Sequence, residues 1–296
     1  MNIVLTGSLG HISKPLAEEL VAKGHGVTII SSQAGKQKDI EALGVKPAIG
    51  SINDVEFLVS AFTGADIVYL MEPPFNFFDQ QLDMEKHWTA IARTYIDAVR
   101  QSGIKQVIHL SSIGADTTQG NGMLYLHHLV ENILHELPSD VAIKFLRPVG
   151  FYYNMFAFIP TIKAHNAIFQ NYGGDHKEPW VSTLDIAATI AEEMEKPFEG
   201  RTVRYIASDE LSPNEVAGIL GNAIGKPGLQ WVVIPDEHFL NNLLGAGFNP
   251  SAAKGMTDMN VGRRNHLYDD YNRHRPSLGK IKLTDFAKEF ATVYNQ

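Results

Sequence analysis

A chain of 296 residues, 44% hydrophobic and 20% charged, has the length and composition for one large fold, or a large and a small lobe, around a full core. Its formal charge of -8 excludes the basic footprint of a nucleic-acid surface, and the absence of cysteine excludes disulfides, thiolate metal sites and cysteine nucleophiles. No apolar run is long enough to span a bilayer, and the first residues enter a strand pattern without signal-peptide character, so a cytoplasmic protein with no membrane contact is expected.

The first strand, Ile3-Val4-Leu5, runs into Thr6-Gly7-Ser8-Leu9-Gly10-His11-Ile12-Ser13, and Pro15 to Val21 continues with a helical pattern. A strand, a glycine-rich turn and a helix in that order make a dinucleotide-binding loop. Gly7 suits the backbone angles of the tight turn, and Gly10 leaves room for a pyrophosphate. Leu9, His11 and Ile12 carry the loop backbone to the positive end of the helix. The spacing G-x-x-G-x-x-S departs from G-x-G-x-x-G at its last position, where Ser13 is small and able to N-cap the helix. A plain tight turn between packed elements is the competing reading.

Val27 to Ile30 reads as a buried strand of a parallel sheet, followed by Ser31, Ser32, Gln33, Lys36 and Lys38. An NAD-specific site places an acid here for the ribose 2′-hydroxyl, yet none stands before Asp39. Ser31, Ser32 and Lys36 would attract a 2′-phosphate instead, so NADP(H) is the expected cofactor and NAD(H) remains possible. Asn53 or Asp54 N-caps a helix from Val55 to Phe62. The strand Ala65 to Met71 follows, and Met71 and Glu72 at its end fall beside the cofactor, because ligands of open α/β sheets bind beyond the carboxyl ends of the strands. The proline-stiffened loop to Phe78 either borders the nicotinamide and substrate, with Phe75 foremost, or packs against a second lobe. Trp88, Ile91, Tyr95 and Val99 recur at helical spacing between about Gln81 and Arg100, as a core face or a subunit contact.

The strand Gln106 to Leu110 closes on Ser111-Ser112; a helix near Leu124 to Glu136 and the strand Val141 to Arg147 follow. This β-α-β rhythm implies an α/β fold with a doubly wound parallel sheet and right-handed crossovers. Beyond Pro148 the rhythm breaks. Phe151 to Phe158 is aromatic, Asp185 to Lys196 is helical, and Ser212-Pro213-Asn214-Glu215 opens a helix with a capping-box pattern. The polar stretch with Arg263, His266, Asp269, Asp270 and His274 lacks regular ligand spacing, so no metal site is assigned.

In their order and spacing, Thr6-Gly7-x-x-Gly10, Leu110-Ser111-Ser112, Leu146-Arg147-Pro148-x-x-Phe151-x-x-Asn154, Asp185-Ile186-Ala187 and Leu211 to Ala217 resemble the NmrA-like branch of the atypical short-chain dehydrogenase/reductases. The resemblance covers nearly the whole chain. It implies a Rossmann domain over residues 1–150 and a smaller C-terminal α+β lobe, with 151–296 mainly substrate-binding. It places Ser111, His127 and Val149 at the nicotinamide and Phe75, Phe151 and Tyr152 around the acceptor. Ordinary reductases of the wider superfamily use Tyr-x-x-x-Lys, in which tyrosine protonates the carbonyl oxygen. With Glu131 set on the acid that follows that lysine, His127 stands at the lysine position and Met123 at the tyrosine position.

The missing pair counts against epimerase and alcohol-dehydrogenase chemistry. Two functions follow from the resemblance. One is hydride transfer from NADPH to a small-molecule electrophile, a quinone or conjugated carbonyl, with His127 as the candidate catalytic residue. The other is a non-catalytic NADP(H) sensor acting through a protein partner. The oligomeric state is not legible.

Overall fold

The computed structural model describes residues 1–296. Along the first half, β1 (Asn2–Leu5), α1 (Ser13–Ala22), β2 (Gly26–Ser31), α2 (Gln37–Ala42), β3 (Lys46–Ile49), α3 (Val55–Phe62), β4 (Ile67–Leu70), α4 (Met84–Ser102), β5 (Gln106–Leu110), α5 (Tyr125–Leu134) and β6 (Ala142–Pro148) alternate as the hydrophobic periods require. Every residue of β4 is buried, as expected of a central strand covered on both faces. Pro47, which cannot donate to a ladder, sits in the edge strand β3. Asp54 and Asp83 N-cap α3 and α4 through bonds from Phe57 N–H (3.1 Å) and Lys86 N–H (2.9 Å).

The second half holds β7 (Gly150–Phe151), α6 (Ile159–His165), β8 (Ala167–Gln170), β9 (Glu178–Val181), α7 (Thr183–Met194), β10 (Arg201–Ile206), β11 (Asp209–Leu211), α8 (Pro213–Ala223), β12 (Gln230–Val233), α9 (Asp236–Gly245), α10 (Pro250–Arg263), α11 (Asp269–Arg273) and α12 (Leu283–Tyr294). The main sheet is parallel throughout, in the order β10-β6-β5-β4-β1-β2-β3. One face is closed by α1 and α7, with Leu16, Leu20, Ile186 and Ile190 in its core. The other is closed by α3, α4 and α5, with Phe62, Trp88, Tyr95 and Val130. Trp88, Ile91, Tyr95 and Val99 are therefore the buried stripe of α4 against its own sheet, not a subunit contact.

A boundary at residue 150 does not separate two continuous halves. The chain returns after it to lay β10 beside β6 and α7 beside α1. The remaining C-terminal residues build a third core of Tyr152, Met155, Trp180, Val216, Trp231, Phe286 and Phe290 around a three-stranded and a two-stranded sheet. The capping box of α8 is complete, with Ser212 and Glu215 exchanging bonds of 3.1 and 2.7 Å. The polar stretch after Arg263 is organised by ion pairs. Arg263 is buried against Glu178 between the rings of Tyr172 (4.1 Å) and Trp180 (4.7 Å), and Asp270 accepts from Tyr205.

Candidate active site

The loop after β1 is fixed from both sides. Thr6 Oγ1 donates to the Tyr69 carbonyl (3.1 Å) and accepts the Met71 N–H (2.9 Å), and Tyr95 Oη donates to the Met71 carbonyl (2.7 Å). Gly7 takes φ +89°, and a Cβ there would run into the Met71 sulfur and the Ser13 hydroxyl. Gly10 closes the turn on the Gly7 carbonyl (3.2 Å), which a Cβ at Gly10 would approach to 3.0 Å. Ser13 does not cap α1. Its hydroxyl is buried and donates to the Thr6 carbonyl (2.9 Å), stapling the helix start to the strand. The N–H groups of His11, Ile12 and Ser13 find no acceptor in the protein. A glycine turn with free N–H groups at a helix N-terminus fits a pyrophosphate.

At the adenosine end, Ser31 is buried and its hydroxyl is already used, accepting from Ser8 Oγ (2.9 Å) and Gln33 N–H (3.2 Å). Ser31 therefore braces the loop through both acceptor positions of its hydroxyl, and only its own O–H is left to donate. Ser8, which sequence reasoning passed over, holds φ +54° to make that contact. Ser32 is exposed and Lys36 half-buried in the short 3-10 turn that follows.

Met71, Glu72, Ser111 and Val149 follow directly on the carboxyl ends of β4, β5 and β6, and His127 lies in the first turn of α5. Their side chains do not all face outward. Glu72 turns inward and pairs with His109 Nε2 at 3.0 Å, the two side chains 1% and 0% exposed; it is not a cofactor ligand. Ser111 donates to Glu131, which also takes a two-pronged contact from Arg147 at 2.9 and 2.6 Å. Val149 is buried with its N–H on the Ile206 carbonyl.

His127 packs edge-on against Trp88 (4.8 Å), and Trp88 stacks on Phe75 (4.7 Å). Burial pushes the His127 imidazole down to about 4, with the Glu72 charge opposing and His109 reinforcing. It is neutral at pH 7 and does not titrate there as its ordinary value suggests. His128 is not a free surface histidine either. It bonds the Ala115 carbonyl (2.9 Å) and Asn132 (2.7 Å).

Across the site, Tyr152 is buried and donates to Asp209 (2.7 Å). Its neighbour Tyr153, not singled out from sequence, lies at the surface and packs at a tilt of 36° on His11 of the loop (3.9 Å). A cavity of about 210 Å³ between His11, Tyr152, Tyr153, Leu184 and Phe286 adjoins the loop. Phe151 is half-buried in the small sheet. Farther round, Phe77 and Phe78 pack on Phe248 (6.0 and 4.8 Å), and Asn249 bonds the loop backbone at Phe77, Asp79 and Leu82. The aromatic loop is thus clasped to the turn between α9 and α10.

A doubly wound parallel sheet with an anion-fitting glycine loop after its first strand defines a protein of the Rossmann class. The chain belongs to the NmrA-like family, whose model matches residues 1–285. It is similar to an NAD(P)H azoreductase of Xenophilus azovorans, 25% identical over 258 residues that cover 87% of this chain and 85% of that protein. Its fold is that of an NADPH-dependent quinone oxidoreductase of Escherichia coli solved with NADPH, at a TM-score of 0.80, 21% identity and coverage of 97% and 99% of the two chains. A triphenylmethane reductase of Citrobacter sp. is similar at a TM-score of 0.76, with 19% identity over 98% and 100% of the chains.

Proposed function

We propose that this protein is an NADPH-dependent oxidoreductase that passes hydride to a quinone or a conjugated carbonyl. The observation that carries the reading is the reductase-type site without its acid. The family resemblance implies Met123 and His127, the latter neutral and half-buried, at the positions where related enzymes carry tyrosine and lysine. Acceptors that delocalise the incoming negative charge need the strong acid least. Family membership and the reductase activities in the names of the similar proteins support the same chemistry, and more strongly than they support a sensor without turnover.

Bound NADPH supplies the hydride from C4 of its nicotinamide. In this reading the backbone from Gly7 to Ser13 holds the pyrophosphate, and Ser32 and Lys36 receive the 2′-phosphate. Met71, Ser111 and Val149 wall the nicotinamide. Phe75, Trp88 and Phe151 keep water from the acceptor, and His127 offers one N–H to its oxygen. The C-terminal residues outside α7 and β10 form the acceptor lobe.

NADPH consumption against a panel of quinones and enones tests the proposal. The parent should oxidise NADPH with at least one class. Gly10→Val, which fills the pyrophosphate space, should bind no dinucleotide while keeping its fold. A parent that binds NADPH and reduces none of the panel would reject catalysis.

A further inference from the structure

Glu72 leaves the carboxyl end of β4, His109 is the penultimate residue of β5, and His127 lies in the first turn of α5. All three are on the side of the sheet closed by α4 and α5: His109 meets Phe145 (5.9 Å) and His127 meets Trp88, both in that core. The Glu72–His109 pair is sealed from solvent. His109 Nδ1 and His127 Nδ1 are also buried, and neither has a hydrogen-bond partner. Native proteins rarely leave such atoms unpaired, and a bound water is the usual solution. The charges of Glu72 and His109 both act on His127.

No other titratable group competes for these nitrogens. Tyr69 and Tyr95 feel the Glu72 charge, but their hydroxyls are used on the Met71 sulfur and the Met71 carbonyl. Burial and that charge hold both well above the ordinary tyrosine range, so neither is a proton source.

We infer that Glu72 and His109 store one proton for the acceptor and deliver it through His127, with an ordered water joining the two unpaired Nδ1 atoms. The inference rests on the hydride-transfer reading above. Hydride addition converts a quinone to the hydroquinone monoanion and NADPH to NADP⁺. His127 Nε2–H gives its proton to the anionic oxygen, and His127 Nδ1 takes one through the water from the His109 imidazolium. His109 is left neutral on the Glu72 carboxylate. The store reloads from solvent by the reverse path through His127 after product leaves. In this scheme His127 touches the acceptor, while Glu72 and His109 act through it as positioning residues.

Two acceptors separate the proton from the hydride. A neutral quinone needs both, whereas a cationic triarylmethyl dye becomes neutral on taking hydride alone. Glu72→Gln, which keeps the shape and removes the charge, should lower quinone turnover by roughly 10²-fold, the usual worth of general acid catalysis. It should leave most of the dye turnover and the NADPH affinity. Equal losses with both acceptors would make the pair structural, and no loss with either would make solvent the donor; both overturn the store. Should Glu72→Gln not fold, the parent decides through its solvent deuterium isotope effect, expected larger with the quinone than with the dye. Equal effects overturn the store. A parent that binds NADPH but reduces neither acceptor refutes the hydride-transfer reading, and the store with it.

Discussion

At His127 the surroundings set the chemistry. Burial holds the imidazole near 4 against an ordinary value of 6.5, so the folded chain refuses a proton that the unfolded chain accepts. Between those two values the unfolded state binds more protons, and stability falls with falling pH across that window, levelling out below about pH 4. Denaturant titrations from pH 7.5 to 4 should show this slope in the parent and a shallower one in His127→Gln. Identical slopes would mean that burial does not depress the imidazole. The residue type and its neighbourhood on a helix were readable from sequence. The depressed basicity was not, because it comes from burial against Trp88 and from His109, with Glu72 opposing, and these residues lie up to 55 positions away in the chain. Ser13 and Ser31 follow the same logic. Each was recognised as a small hydroxyl at a critical turn, but only the fold shows that Ser13 donates to Thr6 instead of capping the helix and that Ser31 accepts from Ser8.

At the scale of elements, α5 carries His127 and is anchored to β6 through Glu131 and Arg147. The ion pair is buried on both sides, with side-chain exposures of 5% and 9%, and Arg147 also reaches Tyr205 and Asp270 at 3.3 and 3.7 Å. Removing one member of such a pair strands a buried charge, so Arg147→Ala should cost about 3–5 kcal/mol in chemical denaturation. The double variant Glu131→Leu with Arg147→Met should recover a large part of that loss. If the double variant is as unstable as the sum of the two single ones, the pair is not coupled as the geometry implies. The strands and helices through Arg147 were legible because their hydrophobic periods are regular and caps are local: Asp54, one of two candidates, caps α3, and farther on Ser212 caps α8 where its spacing says it should. Glu131 was noticed as an acid at a meaningful spacing; its service to Arg147 and Ser111 depends on strand order, which no local pattern encodes.

For the molecule as a whole, the acceptor site in the proposed reading depends on two parts of the chain far apart in sequence. Asn249 caps α10 and bonds three backbone positions, the Phe77 and Asp79 carbonyls at 2.7 and 3.0 Å and the Leu82 carbonyl at 3.3 Å. Asn249→Ala should cost about 1 kcal/mol as a lost cap and raise KM for the acceptor with the NADPH dissociation constant unchanged. An unchanged acceptor KM would detach this clasp from the site. The doubly wound sheet and the loop after its first strand were legible at this scale, since each depends on one contiguous βαβ pattern. The return of β10 to the sheet and the packing of Phe248 on Phe77 were not, because both follow from contacts across more than 50 residues.

The central claim is hydride transfer, and isotopic tracing tests it most directly. NADPH carrying deuterium at C4 would be incubated with the protein and a conjugated enone, and the product analysed by mass spectrometry and NMR. The account predicts deuterium on the β-carbon of the reduced enone, in proportion to the NADPH consumed. Enone reduced at the expense of NADPH but without the cofactor's deuterium on its β-carbon would contradict it.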